Sequence, residues 1–541
     1  MTEECDVIVL GSGAAGLTAA LAAHDSGARV RLVERFDRVG GTSAVSGGVI
    51  WVPQNPRQRA AGLDDSREDA LAYFRALDHG DLRDDVLEAF VDSGPEALEF
   101  LERIDALRVS LLAGYPDYYL DRPGAKPEGG RALDHDLFAL TELGQWAGRI
   151  CAIEDPKPMM LRETPLGGGS GVVPPAELQR RMAAHERGFG QAMVGRMLKA
   201  CLERGIEPEL GVHTRRLTID KGRVTGIAGE RDNAPFELPA RNGVILATGG
   251  FEWNADLRQT YLRGPADTPA SPPTARGEGL TLAMTAGASL GNMTSAWWAP
   301  TLAVPGDCWP GGEQRSAPVL IERTVPHSIM VNRAGMRFCN EAANYSALAG
   351  AFHAFDPQTY DYPNQPAWLV FDAQYRARYP VGTSMPGARL PSHVASAETL
   401  QDLAIRAGID AAALEHAIER FNHFAREGTD PDFARGTSAY DHFYGDRSRS
   451  GTGVTLGPVE QPPFFAVPIH MGMLGTNGGP RTDASARIVD HASNPITGLF
   501  GAGNVIACPT GGVYAGAGGT LGPAITFGYI AGRAAARTSA G

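Results

Sequence analysis

The six residues Gly11-Ser12-Gly13-Ala14-Ala15-Gly16 have the types and the spacing of a site for a phosphate-bearing ligand. Glycines at the first, third and sixth positions let the backbone approach a pyrophosphate closely. The free N–H groups and the dipole of a helix that begins here would attract the negative charge. Glu34, 18 positions beyond Gly16, has a carboxylate that can accept hydrogen bonds from ribose hydroxyls. This spacing predicts a dinucleotide site.

The segments on either side of this glycine turn must position it. Residues 6–10 (DVIVL) form a short apolar run that is typical of a buried parallel strand. Residues 17–27 are rich in Ala and Leu and end at Gly27, which predicts a helix with a glycine cap. Residues 30–33 (VRLV) predict the next strand, with Glu34 at its end. The order of strand, glycine turn, helix and strand is that of a βαβ dinucleotide-binding unit.

Composition and charge exclude several classes of protein. The 541 residues are too many for one hydrophobic core, so we expect two or more domains. A net charge of −13 argues against binding to nucleic acid and to anionic lipid. We expect no membrane span, because no apolar run approaches the roughly 20 residues that a bilayer requires. The first residues lack a basic leader segment, so we expect a cytoplasmic protein.

Cysteines and histidines are spread along the chain without a metal-binding pattern. The six cysteines contain no CxxC pair and have no histidines at ligand spacing beside them. The 13 histidines form no cluster of their own. We therefore expect no metal site, no iron–sulfur cluster and no disulfide framework.

Further glycine-rich segments indicate which dinucleotide is bound, since the first turn alone does not separate FAD from NAD. Residues 40–48 supply small side chains and hydroxyls where a flat isoalloxazine ring must pass close to the backbone. Residues 247–250 and 501–504 each end a predicted strand and offer two more close approaches to one extended cofactor. The sequence favours FAD, and the predicted contacts are Gly11, Gly13, Ala14, Ala15, Gly16, Glu34, Arg35, Gly41, Thr42, Ser43, Ser46, Gly47, Gly48, Ala247, Thr248, Gly249, Gly503 and Asn504.

The rest of the chain predicts a second domain. Residues 176–204 predict a long helical stretch, residues 212–230 a β-hairpin, and residues 524–535 a closing helix. From about 300 to 470, proline and aromatic residues become more frequent, strand-like and helical pieces alternate, and no dinucleotide fingerprint occurs. We predict an α/β fold, in which a Rossmann-like FAD-binding domain carries an inserted α+β catalytic domain.

Over essentially its whole length the chain resembles the flavoprotein family of fumarate reductases, succinate dehydrogenases and 3-ketosteroid 1,2-dehydrogenases. The resemblance is based on the glycine-rich segments above and on the final loop at 511–523. The resemblance implies an FAD-binding domain of residues 1–299 and 472–541 around a catalytic domain of residues 300–471. It also implies that the turn at 501–504 and the start of the last helix, with Gly519 and Leu521, hold the flavin.

Three motifs are similar to those of the ketosteroid-dehydrogenase branch. The final loop has Tyr514 where fumarate reductases have a histidine that binds a dicarboxylate. Residues 114–119 read GYPDYY, and residues 335–341 read GMRFCNE with Tyr345 four positions on. No histidine stands where succinate dehydrogenases attach FAD covalently, so the resemblance implies non-covalent FAD.

The resemblance implies a role for each of these tyrosines. Oxidising a ketone between Cα and Cβ requires a polarised carbonyl, removal of an α-proton and transfer of a β-hydride to flavin N5. Tyr514 O–H and the Gly518 N–H would bind the carbonyl oxygen, and Tyr345 would be the base. A tyrosine needs help to act as a phenolate at neutral pH, and a donor such as Tyr118 would supply it. Tyr119 stays an alternative for that role.

The sequence therefore predicts an FAD enzyme that converts a saturated cyclic ketone to its α,β-enone. Steroid-active members of the resembled family often carry a basic, apolar stretch in the region of residues 150–190. Here this region is mixed polar and rich in Gly and Pro, so the comparison favours a cyclohexanone-type ring over a 3-ketosteroid. A dicarboxylate reductase and an electron-transfer flavoprotein are the rival predictions from other classes. The sequence leaves the external electron acceptor open.

Overall fold

The predicted unit at the start of the chain is present in the structure. In the computed structural model, which describes residues 5–152 and 158–537, a strand ends at Leu10 and a helix begins at Ala14. The second strand, Val30–Val33, ends immediately before Glu34. The first four residues, on which the expected lack of a leader partly depends, lie outside the described residues.

The described residues form strands throughout the chain. In chain order they are β1 (Cys5–Leu10), β2 (Val30–Val33), β3 (Ile50–Trp51), β4 (Val109–Ala113), β5 (Gly129–His135), β6 (Phe138–Ala139), β7 (Glu186–Arg187), β8 (Pro208–Glu209), β9 (Val212–Asp220), β10 (Arg223–Arg231), β11 (Ala234–Leu246), β12 (Leu290–Gly291), β13 (Ala296–Cys308), β14 (Gln314–Pro318), β15 (Ser328–Val331), β16 (Ala367–Phe371), β17 (Ala395–Ala397), β18 (Phe464–Thr476), β19 (Gly479–Pro480), β20 (Arg487–Val489) and β21 (Pro495–Gly501).

The α-helices are α1 (Ala14–Asp25), α2 (Gly41–Val45), α3 (Pro56–Ala60), α4 (Arg67–Ala76), α5 (Asp84–Arg103), α6 (Pro175–Ala183), α7 (Phe189–Leu202), α8 (Ala255–Tyr261), α9 (Glu278–Thr285), α10 (Leu348–Phe352), α11 (Ala373–Arg378), α12 (Leu400–Ala407), α13 (Ala411–Arg426), α14 (Ala439–Tyr444) and α15 (Leu521–Arg537). Short 3₁₀ helices lie at Leu140–Arg149, Leu161–Glu163, Pro165–Gly167, Gly451–Val454 and Gly503–Val505. Within residues 5–152 and 158–537, no helix is both long and apolar enough to cross a bilayer.

The chain divides into two compact units. The first comprises Met1–Leu262, Ser271–Ala296 and Gly475–Gly541, and the second comprises Arg263–Ala270 and Trp297–Leu474.

The first unit is built on a sheet in the order β20-β21-β11-β1-β2-β8, with β10 and β9 continuing as an antiparallel extension from β11. Strands β21, β11, β1, β2 and β8 are mutually parallel. Leu10 pairs with Leu246, and Leu246 pairs with Gly501, so three strands end at the same edge of the sheet. Parallel strands and helices in this order confirm the predicted α/β class.

Helices α1 and α15 approach each other closely at two glycines of α15. A Cβ atom at Gly528 of α15 would lie 2.5 Å from the Ala15 carbonyl oxygen, and one at Gly532 would collide with the carbonyl oxygen of Ala19. Only glycine permits this approach, because the two backbones themselves are in contact. The last helix therefore covers the helix that begins at the predicted phosphate turn.

A smaller sheet in the first unit, β3-β5-β4, supports the loops with the candidate tyrosines. Its strand β3 also contacts the final glycine-rich loop, because the Trp51 N–H donates to the Gly518 carbonyl oxygen at 3.2 Å. Residues 114–119 follow β4, and β5 returns beside it in antiparallel register.

The second unit contains the sheet β14-β13-β18-β16-β15, with β17 beside β18. Helices α12 and α13 cover one face of it, where Leu403, Leu414, Ile418 and Phe421 pack on Val331 and Val370. Alternation of short helices with antiparallel strands makes this unit α+β.

One predicted helix is wrong. The stretch 176–204 is two helices, α6 and α7, separated by strand β7. Glycines explain the break: a Cβ atom at Gly188 would collide with the Met159 carbonyl oxygen, and one at Gly190 with that of Ser43. The chain must leave the helical path here because two other backbone segments pass beside it.

Candidate active site

The glycine turn after β1 is closed against two backbone segments. Gly11 has a φ of +104°, and a Cβ atom there would collide with the Ala247 carbonyl oxygen. A Cβ atom at Gly16 would collide with the Gly11 carbonyl oxygen. Any other residue at these positions would therefore move the turn away from the end of the sheet.

The segment 40–48 lies against the same turn. Ser43 Oγ accepts a hydrogen bond from the Ala14 N–H at 3.1 Å, and a Cβ atom at Gly13 would lie 3.3 Å from that oxygen. Thr42 is half-buried beside Ser43 on α2. Ser46 Oγ donates to the Ser43 carbonyl oxygen at 2.8 Å. Together these bonds hold the first turn of α2 at the N-terminus of α1.

Three glycines of this segment have separate surroundings. Gly41 has a φ of +45° and would place a Cβ atom 3.7 Å from Thr274 Oγ1. Gly47 is exposed, and Gly48, with a φ of +75°, would place a Cβ atom 2.7 Å from the Phe189 backbone. Gly48 therefore marks a close backbone contact, whereas a Cβ atom at Gly47 would lie 3.9 Å from Leu161 Cδ1, an ordinary contact distance.

The Glu34 carboxylate already accepts hydrogen bonds from other groups of the protein. One carboxylate oxygen accepts from the Ser12 N–H at 2.9 Å and from Ser12 Oγ at 2.6 Å, and the other accepts from the Phe36 N–H at 3.0 Å. These bonds fix the carboxylate at the end of β2, where its remaining acceptor positions can receive hydroxyl groups. The next residue, Arg35, forms an ion pair with Glu278.

The ends of β11 and β21 bring further predicted residues to this edge. Ala247 donates its N–H to the Leu10 carbonyl oxygen at 2.8 Å, and Thr248 and Gly249 continue the same turn. Gly503 has a φ of +77°, and a Cβ atom there would lie 2.9 Å from the Ala15 Cβ atom. A Cβ atom at Gly475 would lie 2.6 Å from Asn504 Nδ2. Ligands of parallel sheets bind beyond the carboxyl ends of the strands, and three such ends meet here.

Tyr118 and Tyr514 form a stacked ring pair. Their centroids are 5.6 Å apart and their planes differ by 14°. Each side chain is buried, with 4% exposed. The Tyr118 N–H donates to the carbonyl oxygen of Ala515 at 3.0 Å, which joins the two loops next to the rings. Two phenol groups from segments far apart in the sequence thus share one site in the first unit.

Gly518 lies in the same loop as Tyr514. It has a φ of +93°, and a Cβ atom there would lie 2.5 Å from the Val49 carbonyl oxygen. Within residues 5–152 and 158–537, no group accepts a hydrogen bond from the Gly518 N–H. A buried N–H without a protein acceptor is suited to bind an oxygen that gains negative charge. The segment continues with Gly519, where a Cβ atom would lie 3.3 Å from the Tyr514 ring. It then reaches Leu521, the first residue of α15.

Tyr119 differs from Tyr118 in its surroundings. Its side chain is half-buried, and its N–H donates to the Tyr73 hydroxyl at 3.1 Å. The predicted residues of the first unit are therefore brought to two neighbouring regions of that unit, the edge of the main sheet and the loops at 114–119 and 511–520.

Tyr345 belongs to the second unit and is 5% exposed. The backbone just before it is held by Arg323, whose guanidinium donates to the carbonyl oxygens of Glu341 and, at 2.7 Å, of Ala343. Arg337 binds the Glu341 carboxylate through two N–H groups, at 2.8 and 2.7 Å. Although burial opposes the charged form, this arginine helps to keep the pKa of Glu341 below its ordinary value. Buried charge thus fixes the segment that carries Tyr345.

The chain matches the FAD binding domain family over residues 6–521. A 4-oxocyclohexanecarboxylate 2-dehydrogenase of Sinomonas cyclohexanicum is 39% identical, over 99% of this chain and 93% of its own. The chain belongs to the FAD binding domain family. A 3-oxosteroid 1-dehydrogenase of Mycobacterium tuberculosis is 37% identical over 98% of each chain. The crystal structure of a 3-ketosteroid Δ1-dehydrogenase from Sterolibacterium denitrificans, in complex with 1,4-androstadiene-3,17-dione, matches with a TM-score of 0.89 and 35% identity, over 99% of this chain and 100% of its own.

This FAD-dependent oxidoreductase has a cradle that fits its cofactor. At Gly11, Gly16 and Gly503 a Cβ atom would meet neighbouring atoms of the protein, so three turns meet closely at one edge of the sheet. The N-terminus of α1 faces the same edge and can receive a pyrophosphate. The predicted contacts at 11–16, 247–249 and 503–504 therefore lie at one edge of the sheet in the first unit.

Glu252 is a residue of the oxidoreductase that the sequence analysis did not select. It is buried, and its carboxyl group accepts from Ser271 Oγ at 2.9 Å and from the Thr476 N–H at 3.3 Å. An ideal Cβ atom at Gly475 would lie 3.5 Å from Glu252 Oε1 and 2.6 Å from Asn504 Nδ2, so both side chains face that glycine. The available signal in the sequence was its place two residues after the glycine turn at 247–250. Burial raises the pKa of Glu252 to about 7.

We expect Glu252→Gln to remove a pH dependence of stability. Because the pKa of Glu252 is higher in the folded state than in the unfolded state, its protonated carboxyl group favours folding. This contribution to the free energy of unfolding is complete below pH 4.5 and is lost as the pH rises through about 7. The loss amounts to about 3 kcal/mol in the free energy of unfolding. Denaturant titrations at pH 5 and pH 8, with saturating FAD, measure it. The exposed Glu237→Gln is the control and should follow wild type; an unchanged slope in Glu252→Gln would contradict the assignment.

Proposed function

We propose that the oxidoreductase dehydrogenates a saturated cyclic ketone of the cyclohexanone type to the conjugated enone. The stacked Tyr118–Tyr514 pair, with the Gly518 N–H in the same loop as Tyr514, is the observation that carries the proposal. The two phenol groups and this N–H offer hydrogen-bond donors for a carbonyl oxygen. The 39% identical relative, named for a 4-oxocyclohexanecarboxylate, supports the same ring size.

In the proposed reaction, three tyrosines and one backbone N–H have separate roles. The Tyr514 O–H and the Gly518 N–H bind the carbonyl oxygen and stabilise the negative charge that develops on it. Tyr345 takes the α-proton as a phenolate, and the C–H electrons become the new C=C bond as the β-hydride leaves. FAD, when bound, supplies the acceptor for that hydride. We assign the role of the hydrogen-bond donor that favours the phenolate to Tyr118 rather than to Tyr119, because Tyr118 is the more buried and packs on Tyr514.

In this proposal the first unit binds FAD and the second is the catalytic domain. The glycine turns, Glu34 and the start of α15 all belong to the first unit. Tyr345 belongs to the second, in a segment held by Arg323 and Arg337.

A 3-ketosteroid is the second candidate substrate. It is favoured by the similarity to the steroid dehydrogenase whose structure contains a steroid dione. The region 158–190 supports the smaller ring instead. Its helix α6 has paired arginines: Arg181 binds Glu163 and Glu177 at 2.7 Å each, and Arg180 binds Glu177 at 2.8 Å. This helix therefore does not form the basic, apolar surface that would collect lipophilic substrates.

An anaerobic titration tests the function. The purified holoenzyme is mixed with cyclohexanone, with a 3-ketosteroid or with succinate, and the absorbance of oxidised flavin is followed. We expect rapid bleaching with cyclohexanone, slower or no bleaching with the steroid, and none with succinate. Bleaching by the steroid alone would change the substrate class. Bleaching by succinate alone would refute ketone chemistry.

We also propose that FAD is bound without a covalent link. The sequence offers no histidine at the position where relatives of the resembled family attach the ring. Acid precipitation of the holoenzyme is expected to release all of the flavin into the supernatant as intact FAD. Chromatography of the supernatant checks its identity, and yellow colour that stays in the pellet after washing would contradict the proposal.

A further inference from the structure

The Tyr73 hydroxyl on α4 joins the two loops that carry the candidate tyrosines of the first unit. It donates to the Ala515 carbonyl oxygen at 2.8 Å and accepts from the Tyr119 N–H at 3.1 Å. Ala515 directly follows Tyr514, and its carbonyl oxygen also accepts from the Tyr118 N–H. One hydroxyl from outside both loops therefore fixes their relative position.

A buried group of charges lies beside Tyr73. Arg131, 1% exposed, donates to both carboxylate oxygens of Asp65 at 2.9 and 2.6 Å and to Asp117 at 2.7 Å. Asp117 also accepts from the Trp51 indole N–H at 2.9 Å. The guanidinium carbon lies 5.3 Å from the centroid of the Trp51 ring and 5.6 Å from that of Tyr73. Asp117 is the residue immediately before Tyr118, so the charges act directly on that loop.

Trp51 connects the same group to the far end of the final loop. Its backbone N–H donates to the Gly518 carbonyl oxygen, and its indole lies so close to Gly516 that a Cβ atom there would collide with it. Through Tyr73 and Trp51 the loop is held at Ala515, Gly516 and Gly518. These three contacts enclose the segment between the two proposed carbonyl donors.

Stability alone does not account for this arrangement. Moving two carboxylates and a guanidinium out of water is costly, and apolar residues of similar volume often give equal stability. What an arginine bound to two carboxylates does provide is a fixed orientation. Burial, followed by the nearby Asp117, raises the pKa of Tyr73 far above its ordinary value. The Tyr73 hydroxyl therefore keeps its proton, and can donate it in a hydrogen bond, at neutral pH.

We propose that Tyr73 is a positioning residue for the ketone dehydrogenation. Its hydroxyl, supported by the Asp117–Arg131 pair, keeps the Tyr514 hydroxyl and the Gly518 N–H in the one arrangement that stabilises the enolate oxygen. The inference rests on the proposed function. Carbonyl donors act only within a few tenths of an ångström of their correct distance, and a displacement of about 1 Å costs on the order of 10²-fold in rate.

The test compares Tyr73→Phe with Tyr375→Phe. Both changes remove a buried tyrosine hydroxyl that donates to a backbone carbonyl, the second one in the core of the other unit at 2.9 Å from the Glu322 oxygen. We expect both variants to keep their FAD and to lose similar stability. Only Tyr73→Phe should reduce flavin more slowly at saturating cyclohexanone, by about 10- to 100-fold per bound flavin. Its dissociation constant for phenol, a planar mimic of the enolate, should rise at least as much as that for cyclohexanone.

Asp117→Asn is the second variant, and it keeps an acceptor for Trp51 while losing the charge that faces Arg131. We expect the same slow reduction with full FAD content. If wild type bleaches with ketone but both variants reduce flavin at the wild-type rate, the inference is overturned and the proposed function stands. If either variant is impaired only as much as Tyr375→Phe, the role is structural and the inference is also overturned. If neither ketone bleaches the flavin of the wild-type enzyme, the proposed function fails and the inference fails with it.

Discussion

Tyr345→Phe is expected to hold FAD and to bind ketone, yet to reduce its flavin about 10²- to 10⁴-fold more slowly than wild type. The phenyl ring preserves shape and packing, so the only group lost is the hydroxyl that must accept the α-proton. The backbone around it should not move, because Arg323 and Arg337 hold residues 341 and 343 without using the Tyr345 side chain. Stopped-flow measurement of flavin absorbance in a single anaerobic turnover gives the rate.

Two comparisons sharpen this result. Tyr375→Phe, another buried tyrosine of the second unit, should reduce flavin like wild type. The wild-type rate should also rise with pH, because the phenolate is the form that accepts the proton. Flavin reduction by Tyr345→Phe at near the wild-type rate would place the base elsewhere, and Tyr119 would be the first residue to replace.

Tyr514→Phe is expected to impair both ketone binding and turnover, with a loss of about 10²- to 10³-fold in rate. The phenyl ring can keep its stacking on Tyr118, whose plane is only 14° away, so the packing of the two loops should persist. What disappears is one of the two donors to the carbonyl oxygen. Of the two proposed donors, the Gly518 N–H then remains to stabilise the negative charge that develops on the oxygen.

The kinetic pattern distinguishes this loss from that of a base. Because Tyr514 binds the oxygen in both the ground state and the transition state, KM should rise while kcat falls, whereas Tyr345→Phe should change mainly kcat. Tyr529→Phe on α15 serves as the control, since it removes the hydroxyl of another tyrosine of the same unit, one that accepts a hydrogen bond from Arg533 on the same helix. Wild-type kinetics in Tyr514→Phe would remove this residue from the site.

Local patterns were enough to predict the elements that depend on neighbouring residues. The turn from Gly11 to Gly16 and the strand before Glu34 were predicted correctly, because glycine spacing and short apolar runs act within a few residues. The hairpin of β9 and β10 was also correct, with its turn at Lys221 and Gly222. The division of residues 176–204 into α6 and α7 was missed. It is imposed by contacts of Gly188 and Gly190 with segments distant in the chain.

The same limit applies to the site. The motifs located Tyr118 and Tyr514, and the structure stacks them. Nothing local pointed to Tyr73, whose partner Ala515 is 442 residues away, or to the pairing of Arg131 with Asp65 across 66 residues. Glu252 follows a glycine turn, but its complete burial, which distinguishes it, is a property of the folded chain. Supporting contacts of this kind come from the folded chain and leave no spacing to recognise.

The contact between α1 and α15 has a consequence for biosynthesis. The helix that begins at the phosphate turn is covered by Gly528 and Gly532, about 500 residues later in the chain. At translation rates of about 5–20 residues per second, α1 waits roughly half a minute to two minutes on the ribosome for its partner. During that time its Ala-rich surface must be shielded by other contacts or by chaperones. We therefore expect stable binding of the flavin only after α15 has been synthesised, and weaker binding by a nascent chain that stops before it.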